Sequence, residues 1–334
     1  MTKVALIGFG RRGKSIYGSL LSNEKAKVSA IFDTAFKDSS ILDDVELFSS
    51  DAKKMISKVM PDLAIISTPP WSHFEYIKLC EEMRIPVICE KPIVLGDDQL
   101  KKIRDFKIKI YPAFQFKYDP YINKAFSLIG KSRLLEITAS QRVKVHQEGW
   151  KGSKRFSGGG TLLDNSSHFI DLAINNFGSP KQAIFIPGKT KNGIEQASDT
   201  ILFYKSFQFK IHTDWNSAIG KENKLIIKTG FQDIEFCQTN QLSSLTTRKV
   251  NNRSGWTKRK NVDYFIPRGQ ERNLTDDPLG QTADKKALDI MTDHFLSDLP
   301  DKKSQFAKNQ LDCAIRTGEI INKLYANPNK IINL

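Results

Sequence analysis

A glycine pattern near the start of the chain constrains its fold more than any other feature. The hexapeptide Gly8-Phe9-Gly10-Arg11-Arg12-Gly13 has the spacing G-x-G-x-x-G. The apolar run Val4 to Gly8 predicts a strand before it, and Lys14 to Leu21 has the period of a helix. In this context the glycines permit a tight turn and let backbone amides approach a pyrophosphate. All six residues are therefore predicted to bind a dinucleotide at the helix N-terminus.

An acidic residue supports the same interpretation. Asp33 ends the second predicted strand, 20 residues after Gly13, where a carboxylate can accept hydrogen bonds from the adenosine ribose. Its charge would repel a 2′-phosphate, so we expect NAD as the cofactor and NADP less. The alternative is a structural glycine turn beside a solvent-exposed aspartate. Because strand, helix and acid occur in register, the sequence favours dinucleotide binding.

The first part of the chain alternates between strand-like and helical patterns. The predicted strands are Val4 to Gly8, Val28 to Asp33, Leu63 to Ser67, Val87 to Cys89 and Ile108 to Ala113. The predicted helices between them are Lys14 to Leu21, Ala52 to Val59, Trp71 to Met83 and Asp97 to Phe106. Nearly continuous apolar strands separated by helices predict an α/β fold with a doubly wound parallel sheet covered on both faces.

Beyond Asp119-Pro120 the pattern becomes that of a mostly antiparallel sheet. After a helix at about Tyr121 to Ile129, the predicted strands are Leu134 to Val145, Gln182 to Pro187, Asp199 to Trp215, Asn223 to Thr229 and Gln232 to Gln238. A helix at Gly160 to Asn176 interrupts them, residues 239–281 are predicted as loops with a strand at Val262 to Ile266, and helices at Ala283 to Leu299 and Gln305 to Tyr325 follow. A chain of 334 residues is long enough for two domains, which we place at 1–118 and 119–334.

Composition limits the classes of partner. The 51 basic and 37 acidic residues give a net charge of +14, which raises nucleic acid, membranes and anionic small molecules as partners. The basic residues are spread along the chain, so we expect no nucleic-acid binding, and no apolar run is long enough to span a membrane. The four cysteines lie far apart without metal-ligand spacing, which predicts no metal site. The chain enters a predicted strand at Lys3, which leaves no room for a signal peptide. We therefore expect a cytoplasmic protein whose thiols are reduced.

Two polar segments follow neighbouring strands of the predicted parallel sheet. Ser67-Thr68-Pro69, with His73 shortly after, follows the third strand, and Glu90-Lys91-Pro92 follows the fourth. Open α/β sheets bind ligands at the carboxyl ends of their strands. We therefore predict that Ser67, Thr68, Pro69, His73, Glu90 and Lys91 contact the cofactor, although a lysine in such a place can also be simply solvated.

A third segment places an acid and a histidine on a helix. Gly158-Gly159-Gly160 precedes that helix, which suggests that a ligand or another backbone passes very close. Asp164 and His168 are spaced i, i+4 and so share a face. A carboxylate beside an imidazole can transfer protons. From this segment alone, a purely structural role, with Asp164 as a helix cap and His168 as a hydrogen-bonded histidine, explains the pattern equally well.

Taken together, these motifs resemble the Gfo/Idh/MocA oxidoreductases, the group that includes glucose-fructose oxidoreductase and inositol dehydrogenase. The resemblance implies an N-terminal NAD(P)-binding Rossmann domain and a C-terminal α+β domain with a large, mostly antiparallel open sheet for substrate binding and oligomerisation. It implies hydride transfer between NAD(P) and a secondary hydroxyl of a sugar, cyclitol or sugar derivative, and a homodimer or homotetramer. The residues that match the family's catalytic set are Lys91, Asp164 and His168.

The sequence departs from the family pattern in places that bear on the substrate. Phe114-Gln115-Phe116-Lys117-Tyr118 stands where members often have Asn-Arg-Arg, so Gln115 and Lys117 take the polar positions. A basic cluster around Trp150 is a hypothesis for binding a nucleotide sugar or uronic acid, with a solvated surface as the alternative; its members are Arg142, Lys144, His146, Lys151, Lys154 and Arg155. We predict Lys91, Gln115, Lys117, Trp150, Lys151, Asp164 and His168 as substrate-binding residues. The alternative function is a dinucleotide-binding sensor or transcriptional regulator without turnover.

Overall fold

The computed structural model describes residues 1–35, 45–48, 51–218, 220–239, 243–250 and 285–334. Its strands are β1 Thr2–Ile7, β2 Ala26–Phe32, β3 Glu46–Phe48, β4 Leu63–Ile66, β5 Val87–Cys89, β6 Ile110–Pro112, β7 Leu134–Arg142, β8 Gln182–Pro187, β9 Thr190–Lys191, β10 Ile194–Glu195, β11 Ala197–Phe203, β12 Gln208–Asp214, β13 Glu222–Thr229, β14 Gln232–Thr239, β15 Ser243–Lys249 and β16 Ile332–Asn333. Its α-helices are α1 Arg11–Leu20, α2 Ala52–Val59, α3 His73–Glu82, α4 Asp97–Arg104, α5 Pro120–Ser127, α6 Lys154–Ser157, α7 Ser167–Phe177, α8 Lys285–Asp298 and α9 Phe306–Ala326.

The described residues form two compact units. The first contains residues 1–115 and 285–318, and the second contains residues 116–250 and 319–334, with the gaps given above. The sequence-based division at 118/119 differs from this one because it places every later residue in one C-terminal domain. The assignment of cofactor binding to 1–118 and of substrate binding and oligomerisation to 119–334 stays a prediction.

The first unit is built on a parallel sheet of six strands in the order β3-β2-β1-β4-β5-β6. Its central strands are buried on both faces, and Val4 to Ile7 of β1 are all 0% exposed. This arrangement confirms the predicted doubly wound sheet, in which apolar side chains must face helices on both sides. The strand order reverses between β1 and β4, where such sheets bind dinucleotides.

Helix α8 belongs to the first unit although it lies far from it in sequence. Leu288, Met291 and Phe295 are buried, and the Phe295 ring stacks on Tyr111 of β6 with centroids 4.9 Å apart. Asp298 at the end of α8 accepts hydrogen bonds from Tyr111 and from Lys109. An amphipathic pattern shows that a helix buries one face, but not which element covers it. The grouping of α8 with the first unit was therefore not predictable from its own residues.

The second unit contains a sheet of eight strands in the order β15-β14-β13-β7-β12-β11-β8-β16. Only β7 and β12 pair in parallel among these strands; the other neighbours are antiparallel. Ile137, Phe209 and Leu225 are buried on one face. On the opposite face Glu136 accepts hydrogen bonds from Lys210 and Lys228. The predicted large, mostly antiparallel sheet is confirmed.

Two details of the predicted second part were wrong. Asp199 to Trp215 was predicted as one strand, but it forms the hairpin β11–β12, whose turn at 204–207 contains none of the glycines or prolines that usually mark turns. The loop predicted for 239–281 contains strand β15, which pairs with β14 along its whole length. The predicted strand Val262 to Ile266 lies outside the described residues.

Three further properties concern the described residues alone. No helix among them is long and apolar enough to cross a membrane. No group of three or more His, Cys, Asp or Glu side chains in the described ranges is arranged to hold a metal ion. All four cysteines are free thiols, and burial raises the pKa of Cys80 to about 12. A thiol that stays protonated at neutral pH is a poor nucleophile.

Candidate active site

The glycine loop is built as the spacing predicts. Gly8 follows β1 with φ at +97°, a conformation that glycine adopts without strain. A Cβ on Gly8 would lie 2.8 Å from the Thr68 amide nitrogen, and one on Gly13 would lie 2.2 Å from the Gly8 carbonyl oxygen. Both glycines are thus required by the packing of the loop against helix α1 and the end of β4.

Gly10 is different because the space beside it is open. A Cβ on Gly10 would meet no atom within 4 Å. Gly10 is the N-cap of α1, and no side chain caps the first amides of this helix. Uncapped amides at a helix N-terminus bind anions, and the helix dipole favours negative charge there. The residues present therefore fit a dinucleotide pyrophosphate, which would be held by Gly8, Phe9 and Gly10 of the loop and by Arg11, Arg12 and Gly13 in the first turn of α1.

Asp33 connects the glycine loop to the end of β2. Its Oδ2 accepts the Phe9 amide at 2.6 Å, and its Oδ1 accepts the Ala35 amide at 2.7 Å. A carboxylate has about four lone-pair positions, more than these two amides occupy. The position predicted to select the ribose thus also fixes the shape of the loop.

Arg12 joins three segments of the first unit. Its Nε donates to Glu90, and its Nη2 donates to Gln115 Oε1 at 2.8 Å. Gln115 is buried, at 7% exposure, and Glu90 is mostly buried. Charge-assisted hydrogen bonds of this kind are stronger than neutral ones. The structure therefore brings Arg12, Glu90 and Gln115 together, a contact between two predicted cofactor residues and a predicted substrate residue.

The loops after β4 and β5 are tied together by His73. This imidazole is 0% exposed, and its Nδ1 and Nε2 lie 2.8 Å from the carbonyl oxygens of Pro92 and Thr68. Burial lowers the pKa of His73, and the two carbonyl oxygens oppose that effect. Since both nitrogens contact the protein, His73 can act by holding the two loops in place. The Lys91–Pro92 peptide within the second loop is cis.

The other predicted residues of this edge lie beside the glycine loop. Ser67 Oγ donates to the Gly8 carbonyl at 2.8 Å, and Ser72 Oγ donates to Thr68 Oγ1 at 2.8 Å. Pro69 precedes a short 3-10 turn that leads into α3. These bonds fix the loop after β4 against the loop after β1. Ser67 thus ties the loop after β4 to Gly8, and cofactor binding by these residues stays a prediction.

In the second unit, two of the three glycines are explained by the protein's own residues, and the first, Gly158, ends α6 with φ at +80°. A Cβ on Gly160 would lie 2.1 Å from the Glu195 carbonyl oxygen, and one on Gly159 would lie 2.1 Å from the Tyr325 hydroxyl. Of the two expected causes, a ligand or another backbone, the backbone accounts for Gly160. Glu195 is 5% exposed, and its Oε1 accepts the amides of Gly160 and Leu162 and the hydroxyl of Tyr325. The buried carboxylate of Glu195, in β10, therefore caps the helix that begins just after the three glycines.

That helix begins with a π-helical turn. Leu162–Ser166 is π-helical and continues directly into α7, which confirms the predicted helix and adds a feature the sequence did not reveal. Such turns are frequent at functional sites because the wider turn changes the direction of its side chains. Asp164 lies within the π turn, and His168 lies in the first turn of α7.

Asp164 contacts a predicted substrate residue. Lys151 Nζ lies 3.1 Å from Asp164 Oδ2, and both side chains are roughly one-quarter exposed. The same ammonium lies 5.4 Å from the ring centroid of Trp150 and 6.0 Å from that of Trp215, within the range of cation–π attraction. The structure therefore brings Trp150, Lys151 and Asp164 together and adds Trp215, which sequence reasoning missed.

A chain of amide side chains fixes the π turn to the sheet. Trp215 Nε1 donates to Asn165 Oδ1, and Asn165 Nδ2 donates to Gln141 Oε1. Gln141 donates to Asn223 at 2.6 Å, and Asn223 donates to Gln238 at 2.7 Å. Buried polar networks with satisfied partners rigidify the structure around them. Asn165, next to Asp164, is thus bonded to β7 directly and connected through Gln141 and Asn223 to β13 and β14.

Two residues that precede α5, Phe116 and Lys117, contact side chains of α7. The His168 ring stacks on Phe116 with centroids 4.6 Å apart and an interplanar angle of 23°. Lys117 Nζ lies 3.0 Å from Asp171 Oδ2, with the two side chains 4% and 0% exposed. Lys117, predicted to bind substrate, thus contacts Asp171 inside the protein.

One member of the hypothesised basic cluster, Arg142, lies apart from Lys151. Along β7 buried and more exposed residues alternate, with Gln141 on the buried face beside Asn165 and Arg142 on the opposite face. Lys151 is paired with Asp164 on the helix side. Arg142 is therefore separated from Lys151 by the sheet. No local signal revealed Trp215, Glu195 or Tyr325 as neighbours of this helix, because each lies at least 30 residues away from the helix residue it contacts.

Comparisons with known proteins agree with this architecture. Residues 2–107 match the model of an oxidoreductase family with an NAD-binding Rossmann fold, and residues 127–229 match the Gfo/Idh/MocA C-terminal domain. The scyllo-inositol 2-dehydrogenase (NADP(+)) IolW of Bacillus subtilis (strain 168) is 27% identical over 199 residues, 54% of this chain and 52% of that protein. The D-glucoside 3-dehydrogenase of Escherichia coli (strain K12) is 23% identical over 195 residues, 53% of this chain and 54% of that protein. The chain spans about half the length of these curated relatives.

Solved structures share the fold over nearly the whole chain. Levoglucosan dehydrogenase in complex with NADH and levoglucosan superimposes with a TM-score of 0.77 at 16% identity, covering 100% of this chain and 99% of that chain. GenD2 from gentamicin A biosynthesis, in complex with NAD, superimposes with a TM-score of 0.76 at 14% identity, covering 100% and 96%. At these identities the likeness shows the fold alone.

Proposed function

The chain belongs to the Gfo/Idh/MocA family of oxidoreductases, and from this premise we propose that it is an NAD-dependent dehydrogenase acting on a secondary hydroxyl of a sugar or cyclitol. The observation that carries the proposal is a helix in the second unit that contains both Asp164, which contacts Lys151, and His168. The first unit of the same chain has a glycine loop with open space beside Gly10 and uncapped helix amides. A sensor without turnover would need the loop but not the acid–base residues.

Each proposed catalytic residue has a role that its chemistry supports. His168 accepts the proton of the hydroxyl, since imidazole can act as a base near neutral pH. Lys91 donates hydrogen bonds to the reacting oxygen and stabilises the negative charge that develops there. Asp164 accepts a hydrogen bond from a neighbouring hydroxyl. NAD, when bound, supplies the hydride acceptor, and the protein supplies orientation and proton transfer.

The surroundings of Asp164 favour a neutral polyol over an anionic sugar. Lys151 is paired with Asp164, so the two side chains together carry no net charge. Trp150 is 36% exposed and offers an aromatic face, while Asp164 accepts and Lys151 donates hydrogen bonds. An uncharged ring with several hydroxyls matches this set. A uronic acid or nucleotide sugar would need a cation that is not already compensated.

Cofactor selectivity gives a first prediction. We expect the protein to bind NAD about tenfold or more tightly than NADP, because Asp33 would lie near the 2′-phosphate. The variant Asp33→Asn removes this charge, and we expect it to strengthen NADP binding and so to lower the ratio of the Kd for NADP to the Kd for NAD. Titration calorimetry with each cofactor measures both dissociation constants. IolW, a relative named for NADP(+), makes this test necessary.

The control for that experiment is a second carboxylate of the same unit. Asp62 precedes β4 and accepts the Lys3 amide at 2.8 Å, but it lies at the amino end of its strand. Asp62→Asn is expected to leave the NAD to NADP ratio unchanged. Tighter binding of NADP than of NAD by the unmodified protein would contradict the role given to Asp33.

The proposed activity itself is tested with a panel of substrates. Purified protein, NAD and each compound are mixed, and the near-ultraviolet absorbance of reduced nicotinamide is followed. The panel contains inositol isomers, glucosides and anhydrosugars, with glucuronate and a uridine-diphosphate sugar as anionic members. We expect turnover with a neutral member. Tight NAD binding without turnover anywhere in the panel would favour the sensor instead.

We also propose a cytoplasmic location and assembly as a homodimer or homotetramer. Four free cysteines suit a reducing compartment, and the resemblance implies pairing through the large sheet. Light scattering after gel filtration gives the mass in solution, and cell fractionation gives the location. The mass of a single chain across the micromolar range would contradict the assembly.

A further inference from the structure

We propose that Phe116 and Lys117 are positioning residues that clamp helix α7 at two points and thereby hold the imidazole of His168 in its working orientation. The inference rests on the proposed role of His168 as the base. It concerns how that ring is held, and it assigns Lys117 to positioning rather than to substrate binding.

The two contacts of the clamp come from neighbouring residues. Phe116 stacks on His168, and Lys117 contacts Asp171, one helical turn further along α7. The dipeptide thus contacts positions i and i+3 of the helix at once. Two contacts on one turn restrict the rotation of the helix, and the contact with Phe116 also restricts the tilt of the His168 ring.

The stacking contact restrains the ring itself. With centroids 4.6 Å apart and planes inclined by 23°, rotation of the His168 ring out of this plane would drive it against the phenyl group. Phe116 is 5% exposed and also packs against Phe169, so it has little room to yield. Proton transfer needs the base within hydrogen-bond reach of its target. A ring held in one plane keeps that geometry without loss of entropy when substrate binds.

The ion pair fixes the position of the helix. Lys117 and Asp171 are almost completely buried and 3.0 Å apart. A buried ion pair adds little stability over apolar side chains of the same volume, because desolvation offsets the attraction. Its contribution is then mainly one of orientation. Since the pair lies one turn from His168, it also sets two opposite charges near the imidazole.

The test observes the ring directly by NMR of the full chain labelled at histidine Cε1, without substrate. The five histidines give five signals, and His168→Asn identifies the one of interest. In Phe116→Leu, which keeps an apolar side chain, we expect this signal to lose its upfield ring-current shift. With the best panel substrate, we expect kcat to fall about 10- to 100-fold and the KM for NAD to stay the same. Phe177→Leu is the matched control, since Phe177 packs against Phe126 and Phe207 at the far end of α7.

The ion pair gives a second, electrostatic signature. Lys117→Met leaves the Asp171 anion, which favours the imidazolium, so the midpoint of the His168 NMR titration is expected to rise. Asp171→Asn leaves the Lys117 cation, so the midpoint is expected to fall. Loss of structure alone would move both midpoints in the same direction. If either single variant fails to fold, the apolar pair Lys117→Met with Asp171→Leu is expected to fold, because it leaves no unpaired buried charge, and its midpoint is expected close to that of the unmodified protein.

The outcomes separate this inference from the proposed function. Unchanged His168 signals in Phe116→Leu, or equal losses of kcat in Phe116→Leu and Phe177→Leu, would overturn the clamp and leave the base in place. Full turnover by His168→Asn would remove the base, while the NMR data would still show whether the ring is held. Lys109→Met, which breaks the Lys109–Asp298 pair of the first unit, is expected to leave the His168 signal unchanged.

Discussion

Replacing His168 with asparagine is expected to lower kcat by about 10² to 10⁴, the usual contribution of a general base. Asparagine is close to imidazole in size and polarity but cannot accept a proton at neutral pH. The Kd for NAD is expected to stay within about twofold, because the glycine loop lies in the first unit. Steady-state kinetics on the best substrate of the panel and calorimetry with NAD measure the two quantities.

The control for this variant is His212→Asn. His212 is also paired with an aspartate, since its Nδ1 lies 2.8 Å from Asp199 Oδ1, but both side chains are exposed on the large sheet. Its replacement is expected to change kcat by less than about twofold. Equal losses in the two variants, or none in His168→Asn, would show that His168 is not the base.

Replacing Gly160 with alanine is expected to lower the free energy of unfolding by about 3 kcal/mol or more, at the upper end of the cost of overpacking. The added Cβ would lie 2.1 Å from the Glu195 carbonyl oxygen and 2.7 Å from Cδ of its side chain. Relief of that contact must move Glu195 away from the amides of Gly160 and Leu162, which it caps. Urea denaturation followed by circular dichroism measures the loss.

Gly230→Ala is the matched control because Gly230 lies in the same unit without such a neighbour. A Cβ there would meet its nearest atom, the Arg133 carbonyl oxygen, at 3.9 Å. Its effect is expected to stay within about 0.5 kcal/mol. If Gly160→Ala were as stable as Gly230→Ala, the packing of β10 against the start of the helix would not explain why residue 160 is a glycine.

The first unit was largely predictable because its signals are local. The glycine spacing, the apolar strands and Asp33 each occupy a few consecutive residues, and the right-handed βαβ rule leaves few ways to connect them. Strand β3, with the sequence Glu-Leu-Phe, was not predicted; unlike the wholly apolar Val-Ile-Cys of β5, it contains a charged residue. Helix α8 joins this unit from far along the chain, and its sequence pattern does not name the surface that covers it.

In the second unit the helix was predictable and its environment was not. Asp164 and His168 are four residues apart, so the helical period predicts from the sequence alone that they share a face; that shared face stays a prediction. His168 stacks on the ring of Phe116, and Asn165 accepts a hydrogen bond from the indole of Trp215. Such contacts are decided by tertiary packing, which no short pattern records. The π turn at Leu162–Ser166 has no sequence signature that we recognise.

The central claim is hydride transfer from a carbon of the substrate to the cofactor, and an isotope experiment tests it most directly. The fastest neutral substrate of the panel is prepared with deuterium on its hydroxyl-bearing carbons and incubated with the protein and NAD. The account predicts that the reduced cofactor carries one deuterium at C4 of the nicotinamide, detected by NMR or mass spectrometry. Reduced cofactor without deuterium, or no reduced cofactor with any panel member despite tight NAD binding, would contradict it.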